Sequence, residues 1–324
     1  MKHISILVPE GENNLSSIAG TYKILSRANE IWIKRNGKSL YQIQLAGASK
    51  KVGFLDGLFE VKPHITISNL KKTDFIIIPS LNHQYEDSIK RNRTMIDWIR
   101  NQYKNGAEIA SICTGAFMLA ETGIIDGKHC STHWSAADAF RIKYPLVKLQ
   151  SDKLITDENG IYTNGGAFSF LNLIIYLTEK LFNREIAIHC AKVFQIDMDR
   201  NMQSEFSIFN GHKTHSDEEI LQAQLFIEKH FKDKISMEEL SNRYHVGRRN
   251  FDRRFIKVTG LTPLDYLQRV KVEAAKKSLE STRKTVNEVM YEVGYNDTKA
   301  FREVFTRVTG ISPVEYRTRY NKGN

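Results

Sequence analysis

The chain has 324 residues, with 47 Lys and Arg against 37 Asp and Glu, a net charge of +10. Apolar residues make up 41% and charged residues 26%, which excludes a disordered or collagen-like chain and predicts two folded domains. No apolar run reaches the ~18–20 residues that span a bilayer, so no membrane partner is expected. The opening MKHISILVPEGENN lacks the apolar segment and cleavage site of a signal peptide. Three scattered cysteines make no disulfide framework, so a reducing cytoplasm is the expected compartment.

The first part of the chain alternates strand and helix patterns. Ile4 to Val8 is a short apolar run, Leu15 to Ile33 has helical spacing, and Leu40 to Ala46 alternates. Phe75 to Ile78 and Ala107 to Ile112 are further strand runs, with helices expected at about 88–104, 114–121 and 167–182. This order predicts a parallel sheet with helices on both faces. A polar, glycine-containing stretch, QSEFSIFNGHKTHS, reads as a linker over 203–216. It separates a domain at 1–202 from one at 217–324, in which strand patterns end and the chain becomes helical.

The two parts differ in how their charge is clustered. Residues 1–214 carry 26 basic and 21 acidic groups, and residues 215–324 carry 21 and 16, so each nets +5. Between Arg243 and Lys284, however, 12 basic and 4 acidic residues give +8 over 42 positions.

That cluster lies within a repeat. FDRRFIKVTGLTPLDYLQR (251–269) and FREVFTRVTGISPVEYRTR (301–319) are offset by 50 and identical at eight of nineteen positions. In each copy Ser236 with Glu239, or Thr285 with Glu288, suggests a capping box that opens a helix. A turn follows, then a helix burying Phe251, Phe255 and Val258, or Phe301, Phe305 and Val308. Thr-Gly stops it, and Thr262-Pro263 or Ser312-Pro313 starts the next. Two short helices joined by a tight turn make a helix-turn-helix. The spacer from Pro263 to about Ser281 predicts a helix ~28 Å long, close to the ~34 Å between successive major-groove openings on one DNA face.

The outward face of the first reading helix carries Arg248, Arg249, Asn250, Asp252 and Arg253, and that of the second carries Asp297, Thr298, Lys299, Arg302 and Glu303. Arg, Lys and Asn are residue types that read base edges. A solvated face with ordinary charges is the plain alternative for one such helix, and the repeat argues against it for two. Lys257 and Arg254 suit phosphate contact, which positions without specifying. The aromatics Phe251, Phe255, Phe301 and Phe305 recur at core spacing, which disfavours RNA binding or a minor-groove wedge.

Val293-Gly294-Tyr295, Phe301, Phe305, Thr309-Gly310-Ile311-Ser312-Pro313 and Tyr316-Arg317 resemble the DNA-binding domain of AraC/XylS-type transcription regulators. The resemblance covers about the last 110 residues. It implies sequence-specific binding of promoter DNA, contact with RNA polymerase, and base readers among Arg249, Asn250, Asp252, Arg253, Thr298, Lys299 and Arg302.

In the first domain, ASICTGAFMLAETGIIDGKHCSTHW (110–134) places Cys113 on a strand-to-helix turn, as in a nucleophile elbow, with His133 downstream. A helix N-terminus there lowers a thiol pKa. A small buried cysteine is the plain reading. Cys130 and Cys190 are expected as core or surface residues, and neither His129-Cys130-His133 nor His189-Cys190 has zinc-site spacing. No metal or cofactor is expected.

This domain resembles the class I glutamine amidotransferase-like superfamily, the PfpI group in particular, through Cys113-Thr114-Gly115, Thr132-His133-Trp134 and Tyr162-Thr163-Asn164-Gly165-Gly166. The fold implied is flavodoxin-like α/β, followed by an all-α domain with two helix-turn-helix units. In related hydrolases and hydratases an acid after the first strand contacts the cysteine. The matching position here is Ser17, with Glu10 and Glu12 out of register. The expectation is therefore a non-enzyme: a regulator whose first domain senses a small effector at Cys113, Thr114, His133 and Ser17 and forms a homodimer. The resemblance points to a small nitrogenous metabolite as effector. The competing class is a cysteine-dependent hydratase or amidase with a fused DNA-binding domain.

Overall fold

The computed structural model describes residues 1–82, 85–198, 202–213 and 215–321, and of Glu205 only the backbone. Contacts divide the chain into two compact units, Met1–Gln203 and Ser204–Asn324. Thr214 of the expected linker and the last three residues of the expected second domain lie outside the described residues.

The first unit runs β1 (Lys2–Val8), α1 (Leu15–Asn36), β2 (Tyr41–Gly47), β3 (Val52–Phe54), β4 (Phe59–Val61), β5 (Ile65–Thr66) and β6 (Phe75–Ile78). It continues through α2 (Tyr85–Arg91), α3 (Arg93–Lys104), β7 (Glu108–Ile112), α4 (Ala116–Ala120), β8 (His129–Cys130), α5 (Ala137–Lys143), β9 (Lys148–Leu149), β10 (Ile155–Glu158), β11 (Ile161–Asn164), α6 (Phe170–Leu181) and α7 (Arg184–Phe194). Among the described residues the main sheet has the order β10-β11-β7-β6-β1-β2-β5. Every neighbouring pair in it is parallel except β10–β11.

The continuous apolar strands feed both faces because side chains alternate along a strand. Ile4, Ile6, Ile77 and Ile112 pack with α1, α6 and α7. Leu7, Ile76, Ile78 and Ile109 pack with α3, α4 and α5. The helix expected over 88–104 is broken at Asn92. The Asn92 amide donates to the Ser88 carbonyl (2.8 Å) and exchanges bonds with the Glu10 backbone (2.8 and 2.9 Å), a local alternative to helix continuation. The helix expected from 167 starts at Phe170, after Gly166 turns the chain at φ +87°. Strands β3, β4, β5, β8, β9, β10 and β11, each four residues or shorter, and helices α5 and α7 go beyond the elements read from the sequence.

The second unit is helical: α8 (Glu218–His230), α9 (Met237–Arg243), α10 (Arg248–Thr259), α11 (Pro263–Ser281), α12 (Val286–Glu292), α13 (Thr298–Thr309) and α14 (Pro313–Tyr320). The two repeats share their caps. Gly260 and Gly310 end α10 and α13 in the left-handed conformation, and Thr262 and Ser312 cap α11 and α14 ahead of a first-turn proline. Thr285 and Glu288 form a full capping box, whereas Ser236 caps α9 through the Glu239 N–H. Each repeat has its own core, around Phe251 and Phe255 and around Phe301 and Phe305. Helix α11 serves both, with Tyr266 and Leu267 in the first and Val272, Ala275 and Leu279 in the second.

Candidate functional site

The sheet reverses its build direction at β1: the chain leaves it for β2 on one side and returns to β6 on the other. Ligands of open α/β sheets bind beyond the carboxyl ends of strands at such a switch point. Ser80 and Cys113 follow the carboxyl ends of β6 and β7, and Ser17 lies in the first turn of α1, the helix that follows β1.

Cys113 has φ +53°, a left-handed conformation that a residue with a Cβ adopts at a cost. The elbow is held from several directions. Thr132 donates its hydroxyl to the Cys113 carbonyl (2.9 Å). Gly115 lies so close to the end of β6 that a Cβ would stand 2.5 Å from the Pro79 carbonyl oxygen. The expected helix N-terminus is a short 3-10 turn, Cys113–Gly115, leading into the five-residue α4.

Around the sulfur the structure gathers hydroxyls. The Ser80 N–H donates to Ser17 Oγ (3.2 Å), and Ser80 and Thr114 share a hydroxyl hydrogen bond (3.1 Å). Ser17 in turn donates to the Asn14 carbonyl (2.7 Å), and Thr114 to that of Leu81. All four residues are buried. Burial pushes the Cys113 thiol above its usual range. Hydrogen bonds from Ser80, from Thr114 and from the His133 backbone act the other way and do not overcome it. The lowered thiol pKa expected of a helix N-terminus is thus reversed by desolvation.

Of the expected effector-site residues, Thr114 meets Cys113 directly, His133 joins through its backbone, and Ser17 is connected to them through Ser80. The His133 ring directs Nδ1 at Ser135, accepting its N–H (3.2 Å) and lying 2.7 Å from its hydroxyl. The two nearby acids are engaged elsewhere: Glu10 accepts from the Ser49 hydroxyl (2.5 Å) and Glu12 from the Leu55 N–H (3.2 Å). Sequence reasoning missed Ser80, whose one signal is its place after the Phe75–Ile78 strand and Pro79.

In the second unit, α9–α10 and α12–α13 are the two helix-turn-helix pairs, with Phe251, Phe255, Phe301 and Phe305 turned inward and fully buried. Arg249, Asn250, Arg253 and Lys257 are exposed on α10, and Lys299 and Arg302 on α13, with Thr298 half-buried at its start. Arg248 and Asp252 pair with each other (2.9 Å), and Asn250 Oδ1 accepts from Arg253 (2.9 Å). Asp297 caps α13 by accepting the Ala300 N–H (2.7 Å).

The basic cluster is partly internal. Arg254 is tied to Asp217 and Glu219, while Lys271 and Lys276 are buried. Lys276 bonds Glu273 (3.0 Å) and the Ser207 carbonyl, and Glu273 accepts the Phe209 N–H (3.2 Å). Phe209 also packs edge-on against Tyr266, with ring centroids 5.1 Å apart. This part of the expected linker is therefore docked on α11.

Residues 20–179 match the DJ-1/PfpI family and residues 240–319 match the helix-turn-helix domain family of AraC type. The chain is a DNA-binding transcription regulator that joins a DJ-1/PfpI domain to an AraC-type domain. It is 25% identical over 305 residues to the HTH-type transcriptional regulator GbdR of Pseudomonas aeruginosa, covering 94% of this chain and 81% of that one. It is also 25% identical over 228 residues to the regulator GlxA of Rhizobium meliloti, with 68% of each chain covered.

Among solved structures, a Vibrio parahaemolyticus protein described as a transcriptional regulator matches at TM-score 0.53 and 21% identity, over 59% of this chain and 98% of that one. A THiJ/PfpI family protein from Pseudomonas syringae matches at 0.51 and 15%, over 78% and 89%. These likenesses bear out the flavodoxin-like fold of the first domain. Among the described residues, no helix of this regulator is long and apolar enough to cross a membrane.

Proposed function

We propose that the DJ-1/PfpI domain is a non-catalytic module that binds a small effector at the elbow and dimerises, and that the AraC-type domain reads promoter DNA in two successive major grooves. The Ser80 and Thr114 hydroxyls at a buried Cys113 thiol, with Ser17 behind Ser80, carry the first half of this reading. Nucleophilic catalysis needs a thiolate, a base and an orienting acid, and here a serine occupies the expected acid position while burial favours the thiol. Neutral hydrogen-bonding groups at the switch point suit reversible binding of a small polar metabolite, with nitrogenous compounds the first class to test.

The exposed Arg249, Asn250 and Arg253 of α10 and Lys299 and Arg302 of α13 are assigned to base edges, together with Thr298 at the start of α13. Lys257 is assigned to phosphate. Arg248 and Asp252 shape the α10 face as a pair. RNA polymerase is the protein partner this reading requires at a promoter, and the cytoplasm is the compartment. Effector binding acts by favouring one arrangement of the dimer over another, which requires different affinities for the two.

Genome-wide mapping of binding sites with and without candidate nitrogenous metabolites, followed by operator binding with purified protein, tests the reading. Effector-dependent occupancy that Ser17→Ala or Thr114→Val abolishes is the expected result. The strained backbone at Cys113 is the observation that favours the alternative, a hydratase or amidase. Turnover of an amide or nitrile by purified protein, lost in Cys113→Ala, would establish that alternative and remove the first half of this proposal.

A further inference from the structure

We propose that Lys271 is a positioning residue that fixes the second reading helix relative to the first. Helix α11 changes allegiance along its length: Leu267 belongs to the core of the first helix-turn-helix and Val272 to that of the second. Lys271 sits at the changeover and is 7% exposed. Its Nζ donates to the Gly294 carbonyl (3.0 Å) and lies 5.0 Å from the centroid of the Tyr295 ring.

Gly294 is the left-handed residue of the turn between α12 and α13, at φ +76°. A Cβ there would stand 2.1 Å from the Lys232 carbonyl oxygen and 3.0 Å from Lys271 Nζ. Lys232 lies in the loop between α8 and α9, four residues ahead of the Ser236 cap that opens the first helix-turn-helix. The turn that aims α13 is thus wedged between a backbone carbonyl of the segment leading into the first helix-turn-helix and the ammonium of the shared helix.

Burial pushes the Lys271 ammonium below its usual range, with Asp233 the acidic group that opposes the shift. An apolar residue of similar length would fill this place without the desolvation of a charge. The ammonium adds direction: one donor aimed at one carbonyl selects one rotation of the second repeat, where apolar contact tolerates several. A second tie runs alongside, from Arg307 of α13 to Asp265 (3.3 Å) and Gln268 near the start of α11. The inference rests on the reading that both repeats engage one duplex, so its test has an arm without DNA.

In the full chain, spin labels at Glu238→Cys on α9 and Tyr291→Cys on α12 report the distance between repeats. The native cysteines are buried and leave the labelling selective. The parent is expected to give one narrow distance distribution. Lys271→Met broadens or shifts it, and Lys271→Arg, which keeps a donor for the Gly294 carbonyl, restores it. Tyr295→Leu, which removes the ring under the ammonium, broadens it as well and serves if Lys271→Met does not fold.

The DNA arm uses an operator obtained by in vitro selection with the parent protein. One inserted base pair between half-sites is expected to cost the parent about tenfold in affinity or more, and Lys271→Met to lose most of that penalty together with affinity for the intact operator. Unchanged distance distributions in Lys271→Met and Tyr295→Leu overturn the proposal. So does an equal affinity loss on every operator with the spacing penalty intact. Distances that are narrow in the parent and broadened in the variants, beside a parent that shows no spacing preference, would instead refute the two-groove reading and leave the positioning role standing.

Discussion

Arg254 of α10 grips Asp217, the N-cap of α8, through two parallel bonds, Nε to Oδ2 at 2.9 Å and Nη2 to Oδ1 at 2.5 Å. Glu219 accepts from the same guanidinium at 2.6 Å. A cation that its position on the reading helix assigned to phosphate is thus occupied in joining that helix to the start of its own domain. The bidentate geometry gives the pair both strength and direction, and Asp217 caps α8 at the same time by accepting the Ile220 N–H (3.3 Å).

Arg254→Ala is expected to destabilise the helical domain by about 1–2 kcal/mol near neutral pH, between the values for exposed pairs and for hydrogen bonds to charged groups. The Arg254 hydrogen bond holds the Asp217 carboxyl below its usual range. A depressed folded-state pKa gives stability that is present above the ordinary carboxylate value and is lost as pH falls through the lowered one. The gap between parent and variant in thermal denaturation should therefore shrink below about pH 4. A gap of constant size from pH 7 to pH 3 would exclude the ion pair as its cause.

Arg253 and Lys257 are both exposed on α10, one turn apart. Arg253→Ala is expected to cost roughly 1–3 kcal/mol on the selected operator and to relax preference at one base position. Lys257→Ala should weaken selected and random DNA alike and lower the salt slope by about one. Titrations of both variants on both DNAs at several salt concentrations separate the roles. Identical behaviour of the two variants would remove the assignment.

The repeat, its caps and the 19-residue spacer helix were legible because they are local: glycine, proline and hydroxyl residues mark ends within a turn of where they act. Strands β1, β6 and β7 were legible for the same reason, as short apolar runs, whereas β11, which completes the buried middle of the sheet with polar Thr163 and Asn164, was not. What the sequence hid is pairing at a distance. Arg254 finds Asp217 across 37 positions and Lys276 finds Ser207 across 69, and nothing in either neighbourhood announces the partner. A count of +8 between Arg243 and Lys284 consequently overstated the charge available to DNA. The elbow was legible as a motif, but the direction of the Cys113 thiol shift was not. It depends on how completely the fold removes water from the sulfur.

All three cysteines are buried, and burial pushes Cys130 to about 12 and Cys190 to about 11, with Cys113 raised as well. Native protein at pH 7 is therefore expected to react slowly with a water-soluble disulfide reagent, and denatured protein to release three equivalents quickly. Reaction of Cys113 should accelerate only above the ordinary thiol pKa of about 8.5. Fast labelling confined to Cys113 at neutral pH, abolished by Cys113→Ser, would show an activated thiolate and return the domain to the catalytic class.

The turns of the two helix-turn-helix units differ in length, four residues over 244–247 and five over 293–297. Both use one left-handed residue just beyond the first helix: His245 at φ +54° in the first and Gly294 at φ +76° in the second. His245 is exposed, so its backbone conformation costs energy that burial of the side chain does not return. His245→Gly relieves that cost but gives the unfolded chain more freedom, for a net gain of up to about 1 kcal/mol. Gly294→Ala has the opposite sign on both counts. It forces a Cβ to within 2.1 Å of the Lys232 carbonyl oxygen at a positive φ, and a loss of about 2 kcal/mol or more is expected. Urea denaturation midpoints at constant slope measure both. A destabilised His245→Gly would mean that the imidazole makes a contribution of its own to the first turn, larger than the strain it carries.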